Sequence, residues 1–121
     1  MAAIELGTYL KGTGAERYHD CIEACVQCVI ACEVCAEGCL RSEDVKERLD
    51  CIRLCRDTTE LCVSAVIVLA RGSENVAELC RAVAETCERC AAECEKYEGE
   101  MMRRCAEACR RSAEECRRIA A

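Results

Sequence analysis

From residue 15 onward the apolar positions recur every three or four residues, and at most of them the apolar residue is cysteine. Cys21, Cys25, Cys28, Cys32, Cys35 and Cys39 follow one another at steps of 4, 3, 4, 3 and 4, the step of one face of an α-helix. Three further rows keep the same rhythm: Cys51, Cys55, Thr58, Cys62, Ala65, Leu69; then Val76, Cys80, Val83, Cys87, Cys90, Cys94, Tyr97; then Met102, Cys105, Cys109, Ser112, Cys116, Ile119. The rows predict long helices over about 15–40, 43–70, 74–97 and 100–119. Gly12 and Gly14 break the chain before the first, and Ser42 is expected to cap the second. Arg71-Gly72-Ser73 supplies a C-terminal glycine and then an N-cap serine, and Gly99 separates the last two. Residues 3–11, with Ile4, Leu6 and Leu10 on one side, are expected to form a short helix, either a partly ordered tail or a flap on one end. Links this short join antiparallel neighbours. The expected fold is all-α: an antiparallel up-down-up-down four-helix bundle with a short N-terminal helix. Residues 1–121 form a single domain, with 1–14 as its N-terminal segment.

All sixteen cysteines fall on the four inward rows and none on an outer face. The topology also sorts the two ends of the bundle. One end gathers Ala65, Leu69, Val76, Val83 and Ile119, with Val66 and Ile67 near, and is expected to be closed by aliphatic packing. The other gathers Cys35, Cys39, Cys51, Cys94 and Cys105, with Tyr97, Met101 and Met102 at the lip, and is expected to be an open mouth where thiols come almost to the surface.

Composition sharpens this picture. Leu, Ile and Val make up only 23 of 121 residues, with no Pro, Phe or Trp and a net charge of −6. So little aliphatic material with that charge would suggest disorder. The cysteines remove the objection, because a free thiol behaves as a small buried hydrophobe. A core of thiols is nevertheless thin, and metal would fill it. A disulfide framework is the competing reading of so many cysteines. Against it, i,i+3 and i,i+4 pairs on one helix hold their Cα–Cβ bonds nearly parallel, a poor geometry for a bridge.

The acidic balance argues against nucleic acid as a partner. The arginines at 103, 104, 110, 111, 117 and 118 interleave with Glu107, Glu114 and Glu115 and are expected to be a solvated face. No window is long and apolar enough for a membrane span. Met1–Thr13 lacks the basic start and apolar run of an export signal, so the expected compartment is cytoplasmic, where thiols stay reduced.

Thiolates select soft metals. The repeated unit is CxxxC on a helix (Cys21/Cys25, Cys28/Cys32, Cys35/Cys39, Cys51/Cys55, Cys90/Cys94, Cys105/Cys109), not the CxxC on turns usual for zinc. Two thiolates one turn apart suit a metal with two or three ligands, as Cu(I) accepts. The sixteen cysteines are therefore the candidate ligands for multiple Cu(I) ions. Met101 and Met102 are candidate thioether way-stations, as against plain core packing. His19, two residues before Cys21, is expected to face solvent or cap. No base stands beside any thiol on the rows, so an enzyme is not expected. A zinc or cadmium thiolate buffer, and a structural or interaction bundle with thiols as core, remain open.

Taken together, the CxxxC pairs in every long helix, the segment Cys105-Ala-Glu-Ala-Cys109-Arg-Arg-Ser-Ala-Glu-Glu-Cys116 and the short N-terminal segment resemble the bacterial copper storage protein family, cysteine-lined four-helix bundles that hold many Cu(I) ions. The resemblance covers essentially the whole chain and is to the cytosolic branch. It implies a copper storage role, a homotetramer, and exchange with copper donor or acceptor proteins. The chain departs from the pattern at Thr58, Val83 and Ser112, which interrupt the rows. Its lip reads Tyr97-Glu98-Gly99-Glu100-Met101-Met102 where cytosolic relatives often carry histidine.

Overall fold

The structure, a computed structural model, describes residues 5–121. Its helices are α1 (Leu6–Leu10), α2 (His19–Leu40), α3 (Leu49–Arg71), α4 (Val76–Cys94) and α5 (Glu100–Ala120). Short 3-10 turns, Glu16–Tyr18 and Val45–Arg48, lead into α2 and α3. The long helices pack as a ring in which α2 meets α3, α3 meets α4, α4 meets α5 and α5 returns to α2. This is the expected antiparallel bundle, and no described residue is in a strand. No described helix is long and apolar enough to cross a membrane.

The inward rows are the buried faces. The buried residues of α3 are Cys51, Cys55, Thr58, Cys62, Ala65 and Leu69, the predicted row without addition. Helices α4 and α5 bury their rows and also Ala84, Ala91, Ala106 and Ala113. These alanines stand seven residues apart on each helix, two turns along the same face. Small side chains there let the helices approach closely, so a core of thiols stays packed without leucine-sized volume. Tyr97 and Ile119, at the ends of their rows, are only partly buried.

The element ends differ from expectation in three places. Ser42 donates from Oγ to the carbonyl of Cys39 at 2.8 Å, so it closes α2 and does not cap α3. Helix α4 stops at Cys94, because Lys96 and Tyr97 bond back to the Glu93 and Cys94 carbonyls, the tighter i→i+3 winding common at helix ends. Helix α4 starts at Val76 with Asn75 before it, and Ser73 Oγ accepts the Asn75 N–H at 3.0 Å. The glycine stop holds. Gly72 is left-handed (φ 62°), with Gly72 N–H on the Leu69 carbonyl and Ser73 N–H on the Val68 carbonyl, as in the usual glycine C-cap.

The closed end is built as the sequence suggests. Ile22, Leu69 and Val76 are buried there, joined by Leu10, Ala15 and Tyr18. Ile119 and Val66 pack against them, whereas Ile67 turns outward and is exposed. Of the two readings of the N-terminal segment the flap is the observed one, because α1 lies against α2 with Leu10 in the core. The turn after it is fixed by Thr13, which donates to the Leu10 carbonyl (2.7 Å) and accepts the Ala15 N–H (3.2 Å). Ile4, expected on the apolar side of this helix, lies outside the described residues.

The arginine-rich face of α5 is tied into ion pairs. Arg110 reaches Glu95, Arg117 reaches Glu88, and Arg111 reaches Glu23 on α2. Arg103 and Arg104 pair with Glu100, and Arg118 with Glu115. Exposed pairs of this kind add little to stability. They satisfy a solvated face and offer no free basic patch.

Candidate metal centre

All sixteen thiols are buried, and each is a free cysteine. Four helices contribute, so the sulfurs form a column along the bundle axis. Near the closed end Cys21 and Cys25 lie 3.7 and 3.9 Å from Cys116. Further along, Cys62 meets Cys87 at 3.9 Å. Cys109 lies 3.7 Å from both Cys28 and Cys32, and Cys105 lies 3.8 Å from Cys32. Cys55 meets Cys90 and Cys51 meets Cys94, both at 3.8 Å. Most of these contacts join different helices, so a metal bridging them would tie the bundle together.

Several sets of sulfurs lie within 4.8 Å of one another. Two hold four thiols, Cys32/Cys55/Cys90/Cys105 and Cys35/Cys55/Cys94/Cys105. Cys55 and Cys105 belong to both, so two separate tetrahedral ions cannot each have a private set. Shared thiolates call for a bridged, polynuclear filling. One monovalent soft ion per thiolate leaves such a filling neutral, whereas an isolated four-thiolate zinc site keeps negative charge in a dry core.

The protons of the column are shared out unevenly. Cys116 keeps its proton and donates toward its neighbours, holding Cys25 low and Cys80 at about 4. Cys109 does the same for Cys105, whose pKa falls to about 6. Cys39 is different, since loss of water pushes it up to about 12 against the opposing pull of Arg48. Each shared S–H···S proton marks a place where a soft cation can replace it, with release of the proton.

The mouth is more closed than the sequence suggests. Cys39, Cys51 and Cys94 have no exposed surface. Beside Cys39 lies Arg48, its guanidinium 4.9 Å from the centre of the Tyr97 ring and its Nε donating to Asp44 at 2.9 Å. The Tyr97 hydroxyl donates to the Glu47 carbonyl at 2.9 Å, and burial with the nearby Glu93 carboxylate raises its pKa. The sequence reading missed Arg48. Its signal was the position one helical turn before Cys51, on the extension of that row.

The two methionines part company. Met102 is buried on its row, with its Sδ 3.5 Å from the Cys35 sulfur. Met101 is partly exposed and crosses α2 at Gly38, where a Cβ would run into its thioether. That close crossing explains a glycine inside the last turns of α2. His19 is bonded to Asp20 at 3.1 Å on the outside, as expected of a residue with no part in the column. Ser112 is buried among sulfurs, its Oγ 3.5 Å from Cys25, 3.6 Å from Cys87 and 3.8 Å from Cys62.

Residues 14–121 match the Csp family, described as copper storage protein. No curated protein matches the chain. Among solved structures, Cu(I)-bound copper storage protein BsCsp3 is 40% identical over 84% of this chain and 95% of its own, with a TM-score of 0.79. Apo-Csp3 from Bacillus subtilis is 38% identical over 84% and 97%, with a TM-score of 0.78. The copper storage protein Ccsp from Streptomyces lividans, loaded with 10 copper equivalents, is 34% identical over 92% and 89%, with a TM-score of 0.83.

Proposed function

The chain belongs to the copper storage protein family, and from that premise we propose that it stores or sequesters Cu(I) on the thiolates of Cys21, Cys25, Cys28, Cys32, Cys35, Cys39, Cys51, Cys55, Cys62, Cys80, Cys87, Cys90, Cys94, Cys105, Cys109 and Cys116. The observation that carries this is the unbroken burial of sixteen thiols in one column, where overlapping four-sulfur sets demand shared ligands. Copper in two of the similar structures supports the choice of metal. With each thiolate bridging two ions and each ion taking two thiolates, the capacity approaches one copper per thiol, on the order of ten to twenty ions. Met101 and Met102 act as thioether way-stations, receiving Cu(I) at the lip and passing it to Cys35, Cys94 and Cys105. The protein stores and does not catalyse, since the column offers no base beside a thiol. It works in the cytoplasm, taking Cu(I) from donor proteins and returning it to acceptors.

A homotetramer is supported by the outer face of α2. Val26, Ile30 and Val34 stand at i, i+4 and i+8, and Ile30 is 60% exposed. A stripe of β-branched residues open to water on one helix suits a second copy of this chain. Sedimentation is expected to give a tetramer, and Ile30→Glu a smaller species with its copper capacity retained. A monomeric wild type removes this part of the reading.

The deciding experiment is an anaerobic titration of reduced protein with Cu(I) against a chromogenic Cu(I) chelator. Retention of copper on the order of the thiol count is expected, with slower loading when Met101 and Met102 are both replaced by Ala. One or two ions retained would leave a thiol-packed structural bundle. Zinc or cadmium held in the presence of Cu(I) would make it a buffer for those metals.

A further inference from the structure

The flank of the bundle between α2 and α5 carries an apolar groove of about 430 Å³. Ile30, Ala31 and Val34 of α2 form one side of it, and Met101 and Arg104 of α5 the other. Cys105 is also in its lining, and every other lining residue is exposed or half-buried, so Cys105 is the floor. Its own surface is fully covered. A shift of the lining brings its sulfur within reach, and Met101, an unbranched thioether, is the readiest part of that lining to move. What reaches Cys105 reaches much of the column, because this thiol belongs to both four-sulfur groups.

The opposite flank of α5 makes the contrast. A groove between α4 and α5 also touches a column thiol, Cys94, but ion pairs fill its lining, Arg110 with Glu95 and Arg103 with Glu107. The α2/α5 groove is instead bordered by apolar surface open to water, the kind of patch that marks a contact with another molecule. The stripe along it suits its own image. Val26, Ile30 and Val34 read the same in both directions along α2. Two copies of the helix laid antiparallel about a two-fold axis at Ile30 set Ile30 on Ile30 and Val26 on Val34, the self-complementarity that a two-fold contact requires. The acids three residues beyond each end of the stripe do not oppose this, since Glu23 is paired with Arg111 and Glu37 with Arg41. Ile30 and Val34 belong to stripe and groove alike, so a copy seated on the stripe roofs the groove.

Resting on the storage and assembly readings, we infer that the α2/α5 groove is a side opening to the thiol column at Cys105, and that a second copy of this chain seated on the α2 stripe closes it. Assembly then does more than collect bundles. It leaves the mouth as the route of copper exchange, and separation of the copies opens a second route to small uncharged thiols. In that exchange the thiol sulfur bonds copper as the bond from copper to the Cys105 sulfur breaks. The proton of the thiol passes to Cys105, and the oxidation state of copper does not change.

The test measures the alkylation rate of each cysteine in reduced, copper-free, full-length protein. Short pulses of N-ethylmaleimide, an uncharged reagent, are read by peptide mapping, and sedimentation gives the size of the species. The dissociated protein is reached in two ways, by dilution of wild type and by Ile30→Glu. In both, Cys105 is expected to react about tenfold or more faster than in the assembled protein, as for a site whose local opening the partner had opposed. Cys21 and Cys116, at the closed end, keep their rates. Adding Ala31→Trp to Ile30→Glu fills the groove and returns Cys105 to the slow rate, with circular dichroism checking that the helices persist. A Cys105 rate indifferent to dissociation overturns the side opening. So does a rise shared equally by Cys21 and Cys116, which is loosening of the whole bundle, or a filled groove that leaves Cys105 fast. A wild type that sediments as a monomer, or an Ile30→Glu protein that stays assembled, removes the second copy as the closure. Failure of the storage reading looks different, since wild type would then hold no more than one or two Cu(I) ions.

Discussion

Arg48 shows how one side chain governs access. It is partly withdrawn from solvent to a place beside Cys39, paired with Asp44 and stacked on Tyr97. A cation–π contact of this partly exposed kind contributes about 0.5–1 kcal/mol, so the lid it forms opens readily. Replacing Arg48 with Ala removes the stack and the ion pair but leaves the thiol rows untouched. The expected result is faster alkylation of Cys39 in the reduced apo protein, by about fivefold for a loss near 1 kcal/mol, once the rate is corrected for the smaller thiolate fraction that loss of the guanidinium leaves at Cys39. Peptide mapping after a short pulse of iodoacetamide reads it. An unchanged Cys39 rate would mean that the thiol is reached by another path. The same residue marks a limit of sequence reading. Periodicity shows which residues face inward, but it does not show that a basic residue just outside a row will bend back over the column.

Helix α3 divides its labour along its length. It carries cysteine as far as Cys62 and then Ala65 and Leu69, so ligation and closure belong to different ends of one element. Leu69 is fully buried among Ile22, Val76 and their neighbours. Leu69→Ala is expected to destabilise the apo protein by about 3 kcal/mol, measured by urea unfolding, while leaving copper capacity intact. A loss of capacity along with stability would show that the closed end also shapes the column. At this scale the sequence was most informative. The rows named the buried face of α3 residue for residue, because 3.6-residue periodicity and burial are the same fact seen twice. It was least informative at the ends. Whether Ser42 closes one helix or starts the next depends on which backbone group its hydroxyl finds, and spacing carries no record of that. The alanine seam between α4 and α5 also went unread. Alanine is a common helix residue, so Ala84, Ala91, Ala106 and Ala113 look ordinary until their helices are seen in contact.

For the whole molecule the question is what holds the bundle together when its core is mostly sulfur. A buried leucine contributes about 2 kcal/mol through removal of apolar surface, and a thiol removes less. The apo protein therefore rests on a thin core, helped by close alanine packing and the aliphatic closed end. Copper changes the balance, because the sulfur groups draw ligands from different helices. Each bound ion then acts as a cross-link that the unfolded chain cannot reproduce, and stability rises with occupancy by mass action. The melting temperature is expected to climb as Cu(I) is added and to return to the apo value when a strong chelator removes it. Acid must narrow the gap. Every thiol still protonated in the apo column releases its proton on becoming a ligand, so lowering the pH favours the protonated column and weakens copper binding. Melting curves of apo and loaded protein, compared across a pH series, should therefore converge from the acid side. A gap that stays constant on acidification would mean that loading displaces no protons, and the thiols would then not be the ligands.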